Sequence, residues 1–208
     1  MAKCLLVAAT AAEIAPFLKA SNEKAHSNVD VLITGVGMVA TAFHLGRKLS
    51  TNTYDFAINV GIAGAVSKEL TLGELVFVEH DFFYELGAED NDDFLSIEQL
   101  GFGKSVFNAI PGVASKWYSG LKRVNGVTVN KVHGNEASIY QLQQRTSADI
   151  ESMEGAAFYY ACTAVALPCI QVRSISNYVE RRDREKWQIG LAVNNLNRWL
   201  ISCGKHLL

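Results

Sequence analysis

Apolar residues along this chain arrive in two rhythms that take turns. The runs KCLLVAA (3–9), VDVLITG (29–35) and DFAINVGIAGA (55–65) are short and mostly apolar, as strands buried on both faces are. The first two lead into AEIAPFLKA and MVATAFHLGRKL, and the third into a glycine-rich turn. Strand and helix signals in turn predict parallel βαβ units. The middle of the chain changes character. GELVFVEHDFFYEL (73–86) and GVTVNKVHG (126–134) read as further strands, separated by a long acidic loop over 87–99 and a polar turn region. Residues 150–183 then read as a short strand, a helix that is apolar nearly all round, and another strand. At the end, Ile189, Ala192, Val193, Leu196, Leu200 and Cys203 recur at helical spacing and predict an amphipathic helix. The sum is an α/β fold, a three-layer α/β/α sandwich with a mixed central sheet, as one domain over residues 1–208.

Composition narrows the function without naming it. The 208 residues are 49% hydrophobic and 19% charged, which suits one large core. With 19 Lys+Arg against 21 Asp+Glu the formal charge is -2, so there is no basic footprint for nucleic acid or an anionic membrane. No apolar run reaches the roughly 18 to 20 residues of a membrane helix. Cys4, Cys162, Cys169 and Cys203 lie in or beside apolar segments without paired spacing, which predicts buried reduced thiols in a cytoplasmic protein and no metal site. A small or neutral partner is expected.

Two local patterns mimic chemistry that their surroundings do not support. GVGMVA (35–40) fits a dinucleotide-binding turn, and Asp55 lies about 20 residues on. However, Asp55 precedes its strand, so it belongs at the sheet edge opposite the glycines. The acidic run Glu89, Asp90, Asp92, Asp93 lacks the glycine and terminal glutamate of a calcium loop and reads as solvated. Gly35, Gly37, Gly61 and Gly64 still allow close backbone approach to a ligand after two neighbouring strands.

The polar residues that remain stand where open α/β sheets bind ligands, at the carboxyl ends of strands. Glu13 follows the first strand, Glu154 starts a helix that must be buried, and Asn177 ends the last strand. A carboxylate at the start of a buried helix needs a partner. Alone, Glu13 is an ordinary first-turn acid and Asn177 an ordinary turn residue. Together they form a candidate site.

SMEGAAF, VRSISN, NVGIAGAV and AATAAEI resemble the nucleoside phosphorylase and nucleosidase superfamily, in the branch of methylthioadenosine/S-adenosylhomocysteine nucleosidase and, most closely, of futalosine hydrolase. The resemblance spans nearly the whole chain. It implies hydrolysis of the N-glycosidic bond of a purine nucleoside, futalosine with release of hypoxanthine on the route to menaquinone, with water as co-substrate, no cofactor and a homodimer. The alternatives are a methylthioadenosine/S-adenosylhomocysteine or aminodeoxyfutalosine nucleosidase, a phosphorylase, or a non-catalytic nucleoside binder. By the resemblance Met153 and Glu154 hold the ribose hydroxyls, Glu13 activates water, Asn177 contacts the purine, and Arg173 supports that loop. Gly64 and the backbone at Ser138 and Ile139 lie near the base.

Departures from the branch refine this reading. The adenine-specific members have Asp where this chain has Asn177; an amide can donate to O6 of hypoxanthine and accept from a protonated N7. Ser152 replaces a Glu, and Ser138 replaces a stacking aromatic, leaving Phe82, Phe83 or Tyr84 to stack on the base. The early AATAAEI segment has no basic residue and carries a carboxylate that would repel phosphate, which favours hydrolysis. Arg181, Arg182, Arg184 and Lys186 are candidates for the aryl carboxylate of futalosine, with Trp187 as part of a lid. The aromatic segment FVEHDFFYEL is the expected dimer surface.

Overall fold

The computed structural model describes residues 2–22, 28–112 and 115–207. The first strand, β1 (Cys4–Ala8), is buried along its whole length and pairs in parallel with β2 (Val29–Ile33) and β3 (Phe56–Ala65). The crossovers are a short 3-10 turn (Ala11–Ile14) running into α1 (Ala15–Asn22), and α2 (Met38–Thr51). Asp55 sits at the amino end of β3, where its carboxylate accepts from the Lys3 backbone N–H at 2.6 Å. That is the sheet edge away from the glycines, so it cannot serve a nucleotide bound there.

Beyond β3 the sheet curls. Strand β4 (Leu75–Phe83) pairs in parallel with β8 (Lys122–Thr128), which pairs with β9 (Ile150–Ser152), which returns to β3. Strand β10 (Cys169–Tyr178) lies between β3 and β4 and closes the ring, parallel to the first and antiparallel to the second. Helix α5 (Gly155–Ala164) is buried over its first five residues and packs against α2 on one side of the sheet. On the other side, α6 (Ile189–Leu207) buries Ala192, Leu196, Leu200 and Cys203, as its spacing predicts, and joins a core of Phe17, Phe56, Ile58, Phe77, Ile170 and Val172. All four cysteines are free and buried.

Several expectations shift. The acidic stretch is a hairpin rather than a loop: β5 (Gly87–Asp90) and β6 (Asp93–Ser96) flank Asn91 and Asp92. A two-residue turn needs left-handed backbone, and Asn91 supplies it at φ 54°. The strand expected at 126–134 runs instead from Lys122 to Thr128, freeing 129–134 as a loop. Strand β7 (Val106–Asn108) and helix α3 (Ser115–Tyr118) lie where a polar turn region was expected, and α4 (Glu136–Arg145) forms in a segment where no element was expected. FVEHDFFYEL is chiefly β4, with Phe77, Val78 and Tyr84 buried. The conspicuous exposed apolar row is on α2 and the turn before it, where Val39 is 77% and Phe43 59% exposed beside Val36.

Among the described residues no helix is long and apolar enough to cross a membrane, and no group of three or more His, Cys, Asp or Glu could hold a metal.

Candidate active site

The ring leaves one edge of β3 shared. Strand β1 pairs with it from Phe56 to Val60, and β9 takes over at Gly64 and Ala65. Between them Gly61 to Ala63 have no strand on that edge, and the carboxylate of Glu13 enters the gap. Its Oε1 accepts from the Ile62 N–H at 3.2 Å. Its Oε2 accepts from the Thr10 N–H at 3.0 Å and the Thr10 hydroxyl at 2.9 Å. Thr10 in turn caps the 3-10 turn, so Thr10 and Glu13 form a reciprocal capping box. A carboxylate has about four lone-pair positions, so one remains open to a ligand. A Cβ at Gly61 would overlap Arg173 Nη1 and lie 2.8 Å from Glu13 Oε1, so any side chain there must displace both groups.

Glu154 ends the turn after β9 and is the N-cap residue of α5, although its side chain does not cap the helix. It points across to the turn after β2, where the Gly37 N–H donates to Oε1 at 3.0 Å. Gly37 has φ 98°, a backbone conformation that side-chain-bearing residues rarely adopt, so the glycines of GVGMVA serve a carboxylate rather than a pyrophosphate. Arg173 Nη2 lies 3.9 Å from Glu154 Oε2. Burial raises the affinity of Glu154 for a proton above that of an ordinary carboxylate; Arg173 and the Gly37 N–H oppose this, and the charge of Glu13 adds to it.

Asn177 closes the other wall. The pairing of β10 with β3 slips between Ile175 and Asn177, so Ser176 is an extra residue and the strand end is re-aimed. The Asn177 amide is oriented by its neighbours: Oδ1 accepts from Ser176 Oγ at 2.8 Å and Nδ2 donates to the Tyr178 carbonyl at 3.0 Å. One N–H and one lone-pair position are left over.

These groups line one cavity of about 580 Å³. Glu13, Gly64, Met153, Glu154, Asn177 and Trp187 all contribute to it. Arg173 does not. It is 1% exposed and lies beneath the carboxylates, donating to Asn59 through Nη2 and to Gln171 through Nε at 2.9 Å. Its place is thus under Glu154 rather than at the purine-side loop. Ser138 is half-buried on α4, with its hydroxyl on the Asn135 carbonyl. Ile139 packs in a core with Val127, Val129 and Leu142. Arg181 borders a separate depression with Gly134, Asn135 and Glu136. None of these three lines the cavity. Phe82, Phe83 and Tyr84 line a different hollow beside the β5–β6 hairpin.

The cavity also holds residues that the sequence did not single out. His133, in the loop freed by the early end of β8, bonds through Nδ1 to Glu151 of β9, and its backbone N–H donates to the same carboxylate at 2.9 Å. Nothing in the chain marks that pair, since 18 positions separate its members and each is a single ionisable residue. Thr10 did carry a signal, the T-x-x-E spacing of a capping box. The hydrophobic side comes from Val36, Ile62, Val132, Ile189 and Val193. The whole is an apolar slot with three carboxylates, one imidazole and one amide, and neither Lys nor Arg is among its lining residues. Such a slot suits a flat, uncharged group of a ligand next to a centre in which positive charge can develop.

Comparison with known proteins agrees with this chemistry. The family described as the phosphorylase superfamily matches residues 22–207. The futalosine hydrolase of Acidothermus cellulolyticus is 31% identical over 192 residues, covering 88% of this chain and 78% of the relative. That of Thermus thermophilus is 32% identical over 173 residues, covering 80% and 77%. The native structure of futalosine hydrolase of Helicobacter pylori superposes with a TM-score of 0.84 at 16% identity, covering 99% of this chain and 98% of that one. At that identity the superposition carries the fold alone, and the sequence relatives carry the kinship. With its carboxylates, its glycine turns and these relatives, the chain belongs to the phosphorylase superfamily, in its nucleosidase and futalosine hydrolase branch.

Proposed function

We propose that this chain hydrolyses the N-glycosidic bond of futalosine, releasing hypoxanthine. The observation that carries the reading is the charge of the cavity wall: Glu13, Glu151 and Glu154 with no lining cation. As the C1′–N9 bond breaks, the ribosyl carbon gains oxocarbenium character, and carboxylates stabilise that charge more than they stabilise the uncharged ribosyl group of the substrate. Glu154 accepts from the ribose hydroxyls. Glu13, with one lone-pair position free, takes a proton from the water that attacks C1′. The departing purine takes a proton at N7 from solvent water, since an amide cannot deliver one, and the free acceptor site of Asn177 holds that N–H while its free N–H donates to O6. Phosphate would meet three like charges in this slot, which supports water as the nucleophile. The curated relatives named futalosine hydrolase support the substrate.

For the aryl carboxylate of the substrate, Arg182 is the best placed of the four basic residues in the segment 181–186. Its guanidinium lies 5.1 Å from the ring centroid of Trp187, a cavity-lining side chain. Lys186 is drawn to Glu180 and Asp183 instead. A homodimer through the exposed row Val36, Val39 and Phe43 accompanies this reading, since apolar rows of that kind commonly mark interfaces.

The test is incubation with futalosine, inosine, methylthioadenosine and S-adenosylhomocysteine, with and without phosphate, identifying base and sugar. Hypoxanthine with free sugar, at a rate indifferent to phosphate, is expected. A sugar 1-phosphate would overturn hydrolysis, adenine release alone would overturn the base assignment, and binding without turnover would overturn catalysis.

A further inference from the structure

Under the cavity floor runs a chain of buried polar groups whose hydrogen bonds converge on Asp81 from both sides. It starts at α5, where the Ala156 N–H donates to Thr128 Oγ1 at 2.7 Å. The Thr128 hydroxyl therefore turns its proton elsewhere, to Asp81 Oδ1 at 2.8 Å. Asp81 Oδ2 accepts from Gln171 Nε2 at 3.0 Å, which leaves Gln171 Oε1 to accept from Arg173 Nε at 2.9 Å. Arg173 then reaches Asn59 Oδ1 and faces Glu154. Asn59 is also fixed, because its Nδ2 donates to the Val7 carbonyl at 3.2 Å. Asp81 and Gln171 are wholly buried, and Gly155 sits directly on both, since a Cβ there would overlap their side chains.

A carboxamide can be reversed; a carboxylate only accepts. Asp81 accepts from both neighbours and so sets the direction of the Gln171 amide. We propose that Asp81 is a positioning residue for the cleavage reaction: by fixing which end of the Gln171 amide faces Arg173, it holds the guanidinium against Glu154. The inference rests on Glu154 being the ribose-side carboxylate. Asp81 touches no substrate. Its effect is to keep a buried Glu154 ionised when the ribosyl cation forms. Glu154 is faced by Arg173 from β10 and by Glu13 from the 3-10 turn, and Asp81 is faced by Arg173 and by Tyr159 of α5. Burial raises Asp81 to about 6, against the pull of Gln171, Thr128 and Arg173, so its charge is held by these partners.

The direction can be tested by reversing it. In Asp81→Asn, the new amide oxygen must stay on the Thr128 hydroxyl, so its NH2 faces Gln171. Gln171 answers with its carbonyl and turns its own N–H onto the Arg173 Nε–H, donor against donor. Adding Gln171→Glu restores an acceptor at both ends: the amide introduced at position 81 donates to one oxygen of the new carboxylate, and Arg173 donates to the other. The double variant has the charge and heavy-atom count of the parent, with the carboxylate moved one link along.

Asp81→Asn is expected to lower kcat about 5 to 150-fold, the range for one mispaired buried group. KM changes less, and the acid limb of kcat/KM moves to higher pH because Glu154 protonates more readily. D81N/Q171E is expected to recover most of both losses. The Glu154 carboxyl titration, followed by infrared difference spectra and assigned with Glu154→Gln, gives the same comparison without turnover. Asp81→Asn with parental kcat and titration and only a lower Tm would overturn the proposal. So would a double variant no better than the single one. If Asp81→Asn does not fold, Gln171→Met breaks the chain at its centre and must raise the Glu154 titration; a parental titration there refutes the idea. A parent that cleaves no purine nucleoside would refute the site reading, while the titrations still decide the relay.

Discussion

Replacing Glu13 by Gln removes a general base, but in this site it does more. Three donors converge on the two oxygens: Thr10 N–H, Thr10 Oγ–H and Ile62 N–H. An amide offers one oxygen. If it stays on the Thr10 pair, the new NH2 faces the Ile62 N–H at the 3.2 Å now occupied by an accepting oxygen. If it turns round, two donors on Thr10 are lost instead. Either way one or more part-buried donors is unpaired, costing about 1 to 3 kcal/mol of stability. The chemical loss is separate: without a base, kcat should fall about 10² to 10⁴-fold, or about 3 to 5 kcal/mol of barrier. The assay is hypoxanthine release under saturating futalosine, with urea unfolding of the same preparation. Thr10→Val serves as the control, because it deletes the hydroxyl but keeps the base; it should cost stability with a rate loss of about tenfold or less. A Glu13→Gln variant within a few-fold of the parental kcat would refute the role of base and leave Glu13 as a cap.

Further outcomes can be checked independently. Asn177→Asp sets a carboxylate oxygen against the Tyr178 carbonyl and removes the donor to O6, so futalosine kcat/KM should fall about 5 to 150-fold. The ratio of an adenine-bearing analogue to futalosine should rise, and an unchanged ratio would make Asn177 a turn residue only. Gly61→Ala should reduce kcat at least tenfold, by pressing Arg173 and Glu13 apart, at a stability cost of about 1 to 3 kcal/mol; parental kinetics would mean the gap in β3 has room to spare. Asp81 binds its proton more tightly folded, at about 6, than its ordinary 3.8, so in that window the folded state holds more protons than the unfolded one. Stability therefore decreases as pH rises from about 4 to 6, by at most about 3 kcal/mol from this group; urea titrations in which Asp81→Asn keeps the full parental decrease would assign it to other groups. For the interface, Val39→Asp with Phe43→Asp should halve the mass seen by light scattering, and a monomeric parent at micromolar concentration would remove the dimer.

The scaffold and the identities of the acids are written in the linear order of residues. Uniformly apolar short runs such as Cys4–Ala8 read as strands covered on both faces, and the spacing of Ala192, Leu196 and Leu200 buries one stripe of a helix. The T-x-x-E at Thr10 was readable as a cap, and Glu154 at the head of an apolar helix was readable as a carboxylate in need of a partner. These are local signals, carried by residues within about two turns of one another. Everything that depends on strands meeting out of order was settled by the folded arrangement instead. Strand β3 gives one edge first to β1 and then to β9, and only that handover opens the gap that Glu13 fills. The pairing of His133 with Glu151, the reach of Gly37 to Glu154 across 117 positions, and the chain from Thr128 to Arg173 that converges on Asp81 have no periodicity to betray them. Ser138 and Ile139 show the converse: the family resemblance put them near the base, but with β8 ending at Thr128 and α4 beginning at Glu136, the side chains that line the cavity there are Val132 and His133. Hydrogen-bond direction and close approach are set by which backbones the closed sheet brings together, and one-dimensional order does not encode that.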